Sequence, residues 1–244
     1  MKRLYEDLES SDMKTWQAGN GIVVHRLLGG RSNAFLIRDG NRTCMVDGGR
    51  NYRRKALLAR LHKAGIANID YLILTHTHYD HAENAAFLKE RFGLKIVVHE
   101  SEAALLEAGA NPAIEGTISP TRLFIFLIRR WLQQLLRYPP AKPDILVDGP
   151  FDLALLGIRG YVLPTPGHSE GSISVIAGEV ALAGDAVFGM FPGSVFPPFG
   201  QDIPRMVESW GLLAATGCQT FLPGHGRARS LELLTREYTK YVER

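Results

Sequence analysis

The stretch THTHYDH at residues 75–81 constrains this chain more than any other feature. It sets His76, His78, Asp80 and His81 within six residues, directly after YLILT (71–75), a run that reads as a short buried strand. Three imidazoles and a carboxylate at this density are a divalent-metal signature, because imidazole suits zinc and iron and carboxylate adds a hard oxygen donor. A random chain of this composition would contain H-x-H-x-D-H with a probability of about 4 in 10,000. Four unrelated surface residues on a turn are therefore a poor account of it.

Three further candidates share one placement. His168 lies in TPGHSEGS (165–172), just past IRGYVL; Asp185 lies in AGDA, just past EVALAG; His225 lies in LPGHG (222–226), just past CQTFL. Each sits in a turn after a strand-like run, where the loops of mixed α/β architectures converge on a site. Taken singly, each has an ordinary reading, as a structural loop histidine or as an aspartate that makes a turn or caps a helix. Taken together, seven ligands from four chain segments exceed what one tetrahedral zinc takes. They suit two metals about 3.5–4 Å apart, with one carboxylate bridging.

The rest of the chain supplies a frame for such loops. IVVHRLL (22–28), NAFLIR (33–38) and TCMVD (43–47) read as strands, with a hairpin turn at Asp39-Gly40. Residues 52–65 read as a helix stopped by Gly65, a second helix is expected from near Ala82 to Gly93, KIVVH (95–99) reads as a strand, and Ser101 is expected to cap a helix through Ala108. Residues 109–143 break the rhythm as an insert with one amphipathic helix, TRLFIFLIRRWLQQLLRY (121–138). Strand-like runs resume at 145–148, 151–156, 158–163, 172–177 and 179–184, and 218–222 is a last short strand. A loop rich in Phe, Pro and Gly (186–202) precedes a helix from Pro204 to about Ala215, and a polar helix covers about 229–243. Two clusters of strands with helices between and after them predict two packed sheets covered by helices, an α+β class, in one domain over residues 1–244.

Composition excludes several classes. The 244 residues are 45% hydrophobic and 22% charged with a formal net charge of +3, which rules out a disordered tail, a collagen-like fibre and a charge-driven nucleic-acid scaffold. The two cysteines, Cys44 and Cys218, cannot form a disulfide framework and read as small core residues of a protein in a reducing compartment. The N-terminus lacks the apolar run of a signal peptide, and the most apolar run, LFIFLI (123–128), ends at Arg129 and Arg130, far short of the roughly 20 residues a membrane span needs. A soluble cytoplasmic protein is expected, without stable membrane insertion. His25, His62 and His99 are assigned to structure.

The set THTHYDH, PGHS, GD and PGHG, with NAFLI and VDGG (46–49) near the N-terminus, resembles the metallo-β-lactamase-fold hydrolase superfamily. The matching motifs run from residue 33 to 226. The resemblance implies an αββα sandwich of two mixed sheets with two divalent metals at one edge, zinc foremost and manganese or iron as the other options. It implies that His76, His78 and His168 hold one ion, that Asp80, His81 and His225 hold the other, and that Asp185 bridges them. Asp47 matches an acidic position behind the site that fixes a ligand loop; a turn residue after a strand is its ordinary alternative. A hydroxide held between two ions would attack an ester, thioester, lactone or phosphoester, with one ion polarising the electrophilic oxygen. Asp80 would orient the nucleophile or relay its proton. Tyr79 comes up as a leaving-group acid only through its place in the motif, and a ring turned away from the metals is expected.

Substrate is less legible. A bridging Asp185 argues against a true β-lactamase. The single helix past His225 leaves no room for the helical domain of hydroxyacylglutathione hydrolases or for the extra domains of RNA-processing members. A small-molecule hydrolase acting on lactones or thioesters is expected, with no nucleic-acid partner. The insert helix carries Leu123, Phe124, Phe126, Leu127, Trp131, Leu135 and Tyr138, too many apolar residues for an ordinary solvated face. It reads as a lid or pocket wall for an apolar moiety, or else as a core element or a homodimer contact. Phe124, Trp131, Phe188 and Phe191 are the pocket candidates, and Met190, Phe196 and Phe199 could line the same pocket. Two other functions stay open: a mononuclear-iron persulfide oxygenase, which the resemblance allows, and a metal-retaining sensor or binding protein with little turnover.

Overall fold

The computed structural model describes residues 13–117 and 119–243, with the side chains at 119, 121, 122, 124 and 129 outside the described set. Its first sheet has seven strands in chain order: β1 (Thr15–Gln17), β2 (Val23–Leu28), β3 (Ala34–Asp39), β4 (Arg42–Val46), β5 (Tyr71–Ile73), β6 (Lys95–His99) and β7 (Ile145–Val147). Strands β1 to β4 pair antiparallel, and β4 to β7 pair parallel. Helices α1 (Arg54–Lys63), α2 (Tyr79–Ala82), α3 (Ala85–Phe92) and α4 (Glu100–Ala108) connect the parallel strands, and α5 (Ser119–Leu135) lies in the insert. The second sheet holds β8 (Phe151–Asp152), β9 (Tyr161–Pro164), β10 (Ile173–Ala177), β11 (Val180–Gly184), β12 (Thr220–Pro223) and β13 (Arg229–Ser230). Only β11 and β12 pair parallel there, through the connecting helix α6 (Ile203–Ala215), and α7 (Leu231–Val242) ends the described chain.

Side-chain alternation makes these strands a sandwich. Phe35, Ile37, Cys44, Val46 and Val97 face Val162, Val175, Ala177 and Leu182 across the space between the sheets. Their neighbours Leu36, Met45, Ile96 and Val98 point the other way, onto Leu57 and Leu61 of α1, Leu88 of α3 and Leu106 of α4. Ile176, Ala181, Ala183 and Phe221 likewise face Met206, Trp210 and Leu213 of α6 and Leu234 of α7. Strands buried on both faces read as continuous apolar runs, and each large side chain so buried contributes about 1.5–3 kcal/mol. The layers are thus αββα, as expected. Cys44 and Cys218 are both buried and free.

Several local expectations are corrected. The helix expected from Ala82 begins inside the motif, as the short α2, and α3 follows after a break at Asn84. Residues 151–156 are not one strand: β8 stops at Asp152, whose carboxylate accepts from the Ala154 amide (2.8 Å) and starts a 3-10 turn. His99, not Ser101, caps α4, accepting from the Ser101 amide at 3.3 Å. Strands β1 and β13 are too short for their pattern to stand out in sequence. Among the described residues no helix is long and apolar enough to cross a membrane.

Strand direction decides where the motifs meet. β4 and β5 run parallel, so the loops after them, carrying Asp47 and 76–81, leave the first sheet at one edge. β9 and β11 both pair antiparallel with β10, and β12 runs parallel to β11, so the loops carrying His168, Asp185 and His225 leave the second sheet together. Hydrogen bonds close the seam between the two edges. The Ile173 amide donates to the Thr75 carbonyl (2.8 Å), and the Asn33 amide and side chain donate to Gly224 and Pro223 carbonyls (both 2.7 Å).

Candidate metal centre

Five histidines and two aspartates converge at this seam. His78 Nδ1 lies 2.9 Å from His168 Nε2, and His225 Nε2 lies 3.4 Å from both His81 Nε2 and Asp80 Oδ2. Asp185 is central: its Oδ2 lies 3.1 Å from His225 Nε2 and 3.6 Å from His168 Nε2, and its Oδ1 lies 3.5 Å from His81 Nε2. Three groupings place one donor atom per residue within 4.8 Å of one another: His76, His78 and His168; His76, His81 and Asp185; and Asp80, His81 and His225. Donors around a tetrahedral ion at 2.0–2.1 Å stand about 3.3 Å apart, which is the spacing seen here.

The tautomers follow from what holds each ring. His168 Nδ1 donates to the Phe199 carbonyl (3.0 Å), and His225 Nδ1 donates to the Arg31 carbonyl. His81 Nδ1 donates to Asp47 Oδ2 (2.8 Å). The Thr75 hydroxyl gives its hydrogen to Asp47 (2.9 Å), so its lone pair is what receives His76 Nδ1–H at 3.1 Å. Four rings therefore carry a proton on Nδ1 and turn Nε2 into the cluster. His78 instead turns its Nδ1 inward. Asp47, which takes a left-handed backbone (φ 61°) at the end of β4, accepts from the Thr75 amide as well (2.8 Å) and so anchors two donors at once.

Burial and charge divide the donors electrically. Burial and neighbouring imidazoles push His76 and His78 well below the ordinary histidine range, and burial lowers His168. Burial opposes protonation of His81 too, but Asp47, Asp185 and Asp80 outweigh it and lift that ring to about 10. His225 is raised against burial by Asp185 and Asp80. Burial would raise Asp185, yet His225, His81 and His168 hold it well below the usual carboxylate range. Concentrated anionic and lone-pair donors facing one point are what a divalent cation satisfies. His76 Nε2 and Asp185 Oδ1 are buried without a hydrogen-bond partner among the described residues, as is His78 Nε2. The donor set and these orphaned atoms fit a metal. The backbone is shaped for it as well: a Cβ on Gly224 would run into Asp185 Oδ1 and come within 2.6 Å of His81 Cε1.

Glu102, on α4, was not singled out in the sequence. It is 2% exposed, and its carboxylate accepts from the Thr77 amide (3.0 Å), the Thr77 hydroxyl and the Ser169 hydroxyl (2.6 Å). It therefore ties the His76–His78 loop to the His168 loop. A lone glutamate after a strand carries no motif; only its serine and threonine partners, distant in sequence, reveal it.

The cluster opens into a cavity of about 410 Å³. Its apolar wall includes Ile125 and Leu132 of α5, Leu136 just beyond, and Phe188, Met190 and Phe199 from the loop after Asp185. Arg31 and Arg50 line it as well, and sequence reasoning passed over both. Residues of α5 thus lie along this cavity, but not every pocket candidate of the sequence does. Trp131, one position from Leu132, projects to solvent at 63% exposure. Phe191 is half exposed and packs beside Phe188, ring centres 5.8 Å apart. Phe196 stacks on Tyr241 and meets Trp210 edge-on. The Phe124 side chain lies outside the described residues. Tyr79, expected to turn away, lines the cavity with its ring 4.5 Å from the Arg50 guanidinium, and burial and Asp80 push its phenol up. His25 pairs with Thr15 (2.9 Å), away from these donors.

Residues 27–225 match the sequence profile of the metallo-beta-lactamase superfamily. A probable metallo-hydrolase of Methanocaldococcus jannaschii is 29% identical over 199 residues, 80% of this chain and 87% of that protein. An acyl-coenzyme A thioesterase of Gallus gallus is 28% identical over 232 residues, 88% of this chain and 80% of that one. Among solved structures, TTHA1623 in a di-iron-bound form superposes with a TM-score of 0.60 at 26% identity, covering 84% of this chain and 93% of its own.

Proposed function

The chain belongs to the metallo-β-lactamase superfamily, and from that premise we propose a metal-dependent hydrolase that cleaves the thioester or ester of an apolar acyl group. The observation that carries this reading is the position of the donor cluster at the floor of a cavity with one apolar wall. His76, His78 and His168 would hold one ion and Asp80, His81 and His225 the second, with Asp185 between the two sets. Two divalent ions bound there, zinc foremost, would supply a water of lowered pKa and a Lewis acid for the electrophilic oxygen. Asp80, its side chain 16% exposed, is placed to orient that water and take up its proton. Ile125, Leu132, Leu136 and Phe188 would bind the acyl chain, while Arg31 and Arg50 give the cavity a polar side for a charged leaving portion. The thioesterase relative supports the acyl reading, and the di-iron neighbour keeps iron as the second metal to test.

The test is elemental mass spectrometry on protein purified without chelator, followed by a panel of acyl thioesters, esters and lactones of graded chain length. Two zinc ions per chain and metal-dependent thioester hydrolysis rising with chain length are expected. One iron per chain with oxygen uptake would replace the reading by an oxygenase, and metal retention without turnover on any member would replace it by a binding protein.

A further inference from the structure

The helix whose inner face walls the cavity leaves a second apolar face uncovered. Leu123, Leu127, Trp131 and Leu135 recur every four residues along α5 and so form one ridge. All four are between 60 and 71% exposed, whereas Ile125 on the inner face is 5% exposed. Exposed large side chains in such a continuous row mark an interaction surface.

Charge identifies what covers it. Between residues 116 and 143 the sequence has Arg122, Arg129, Arg130, Arg137 and Lys142 and no aspartate or glutamate. Arg130, Arg137 and Lys142 are exposed. Glu115 and Asp202 lie with Arg130 and Gln133 around the hollow beneath the helix, and Asp144 is paired with Lys89 (2.7 Å). A second copy of this chain packed ridge to ridge about a two-fold axis would bring the same cations face to face. A surface that is apolar beneath and anionic on top suits both the ridge and the arginines. Trp and Leu on one face with Arg beside them is the pattern of a helix lying in the plane of a membrane interface, with no span required.

We infer that α5 docks this protein on the surface of an anionic phospholipid bilayer, with the Leu123–Leu127–Trp131–Leu135 ridge at the headgroup boundary. The docking is read on the protein itself and stands apart from the hydrolysis proposed above.

The full-length protein is floated with vesicles of phosphatidylcholine alone and of phosphatidylcholine with about 30 mol% phosphatidylglycerol, and compared with the double variant Leu127→Glu/Trp131→Glu. Both substituted residues are exposed, so circular dichroism and the melting midpoint should match the parent. Expected are at least tenfold stronger partitioning to the anionic vesicles, a severalfold loss between about 0.1 and 0.5 M salt, and loss of binding in the variant. Tryptophan emission should shift to the blue on binding, because Trp210 is fully buried and Trp16 partly so, leaving Trp131 as the reporter. Equal binding to neutral vesicles, no binding to either, or unchanged binding by the variant overturns the inference. So does a parent that is dimeric by light scattering, becomes monomeric in the variant and ignores vesicles, since a second copy would then cover the ridge.

Discussion

At the scale of residues, the centre depends on groups that do different work at similar distances. Asp185 touches donors of both halves of the cluster, so Asp185→Asn should lower bound metal to one ion per chain or less. Hydrolysis should fall at least about 100-fold; elemental analysis and turnover on the best thioester check both. Glu102 acts through the loops it joins. Glu102→Gln cannot accept all the hydrogen bonds the carboxylate takes from Thr77 and Ser169. It should cost about 1.5–3 kcal/mol in denaturant unfolding, the value of a hydrogen bond to a charged group. Restoring metal by raising its concentration should recover turnover in this variant but not in Asp185→Asn. The seven donors were legible because histidine and aspartate in H-x-H-x-D-H and after strand ends carry their chemistry in their identity. Glu102, Arg31 and Arg50 were not, because a single charged residue acquires meaning only from partners that folding brings to it.

At the scale of elements, α5 shows where pattern reading succeeds and where it stops. Its apolar excess was visible in sequence, with lid, core and dimer readings all open, and one face lies along the cavity. Which residues face inward was not visible, because apolar residues occupy most of the helix circumference. Periodicity alone then cannot tell Leu132, which lines the cavity, from Trp131, which does not. Leu132→Phe should narrow the cavity. kcat/KM for long acyl chains should drop about tenfold with little change for acetyl substrates, as a chain-length series would show. The strands were found nearly to the residue where both faces are buried, as in β6 and β10. They were misjudged at 151–156, where Asp152 turns an apolar run into a 3-10 turn through one hydrogen bond.

At the scale of the whole molecule, two features connect the sheets at opposite ends of the chain's logic. Away from the metal centre, Asp39 at the end of β3 accepts from the Arg159 amide (2.7 Å) and pairs with the Arg159 guanidinium just before β9. The hydrogen bonds from Arg159 hold its carboxyl below the usual carboxylate range despite burial. A carboxyl depressed in the folded state stabilises it above the unfolded pKa and loses that contribution as pH falls through the folded one. Asp39→Asn should therefore be less stable than the parent at pH 7, with the gap closing as pH falls through the depressed pKa, in melts across the acid range. At the metal centre, stripping bound ions with a chelator should lower the melting midpoint. Occupancy at 100 times the dissociation constant is equivalent to about 2.7 kcal/mol, and readdition of metal should restore it. The order of the two sheets was readable from the run of elements, and the meeting of the ligand loops at one edge from the resemblance; the bonds that close that rim, such as Asn33 to Pro223, were not. The same rim has a mechanical meaning. Asp80 and His81 belong to the half of the chain that builds the first sheet, and His168, Asp185 and His225 to the half that builds the second. An ion held among them is a rivet through both plates of the sandwich: under a pull on the two chain ends, the plates could not part until the rivet was drawn.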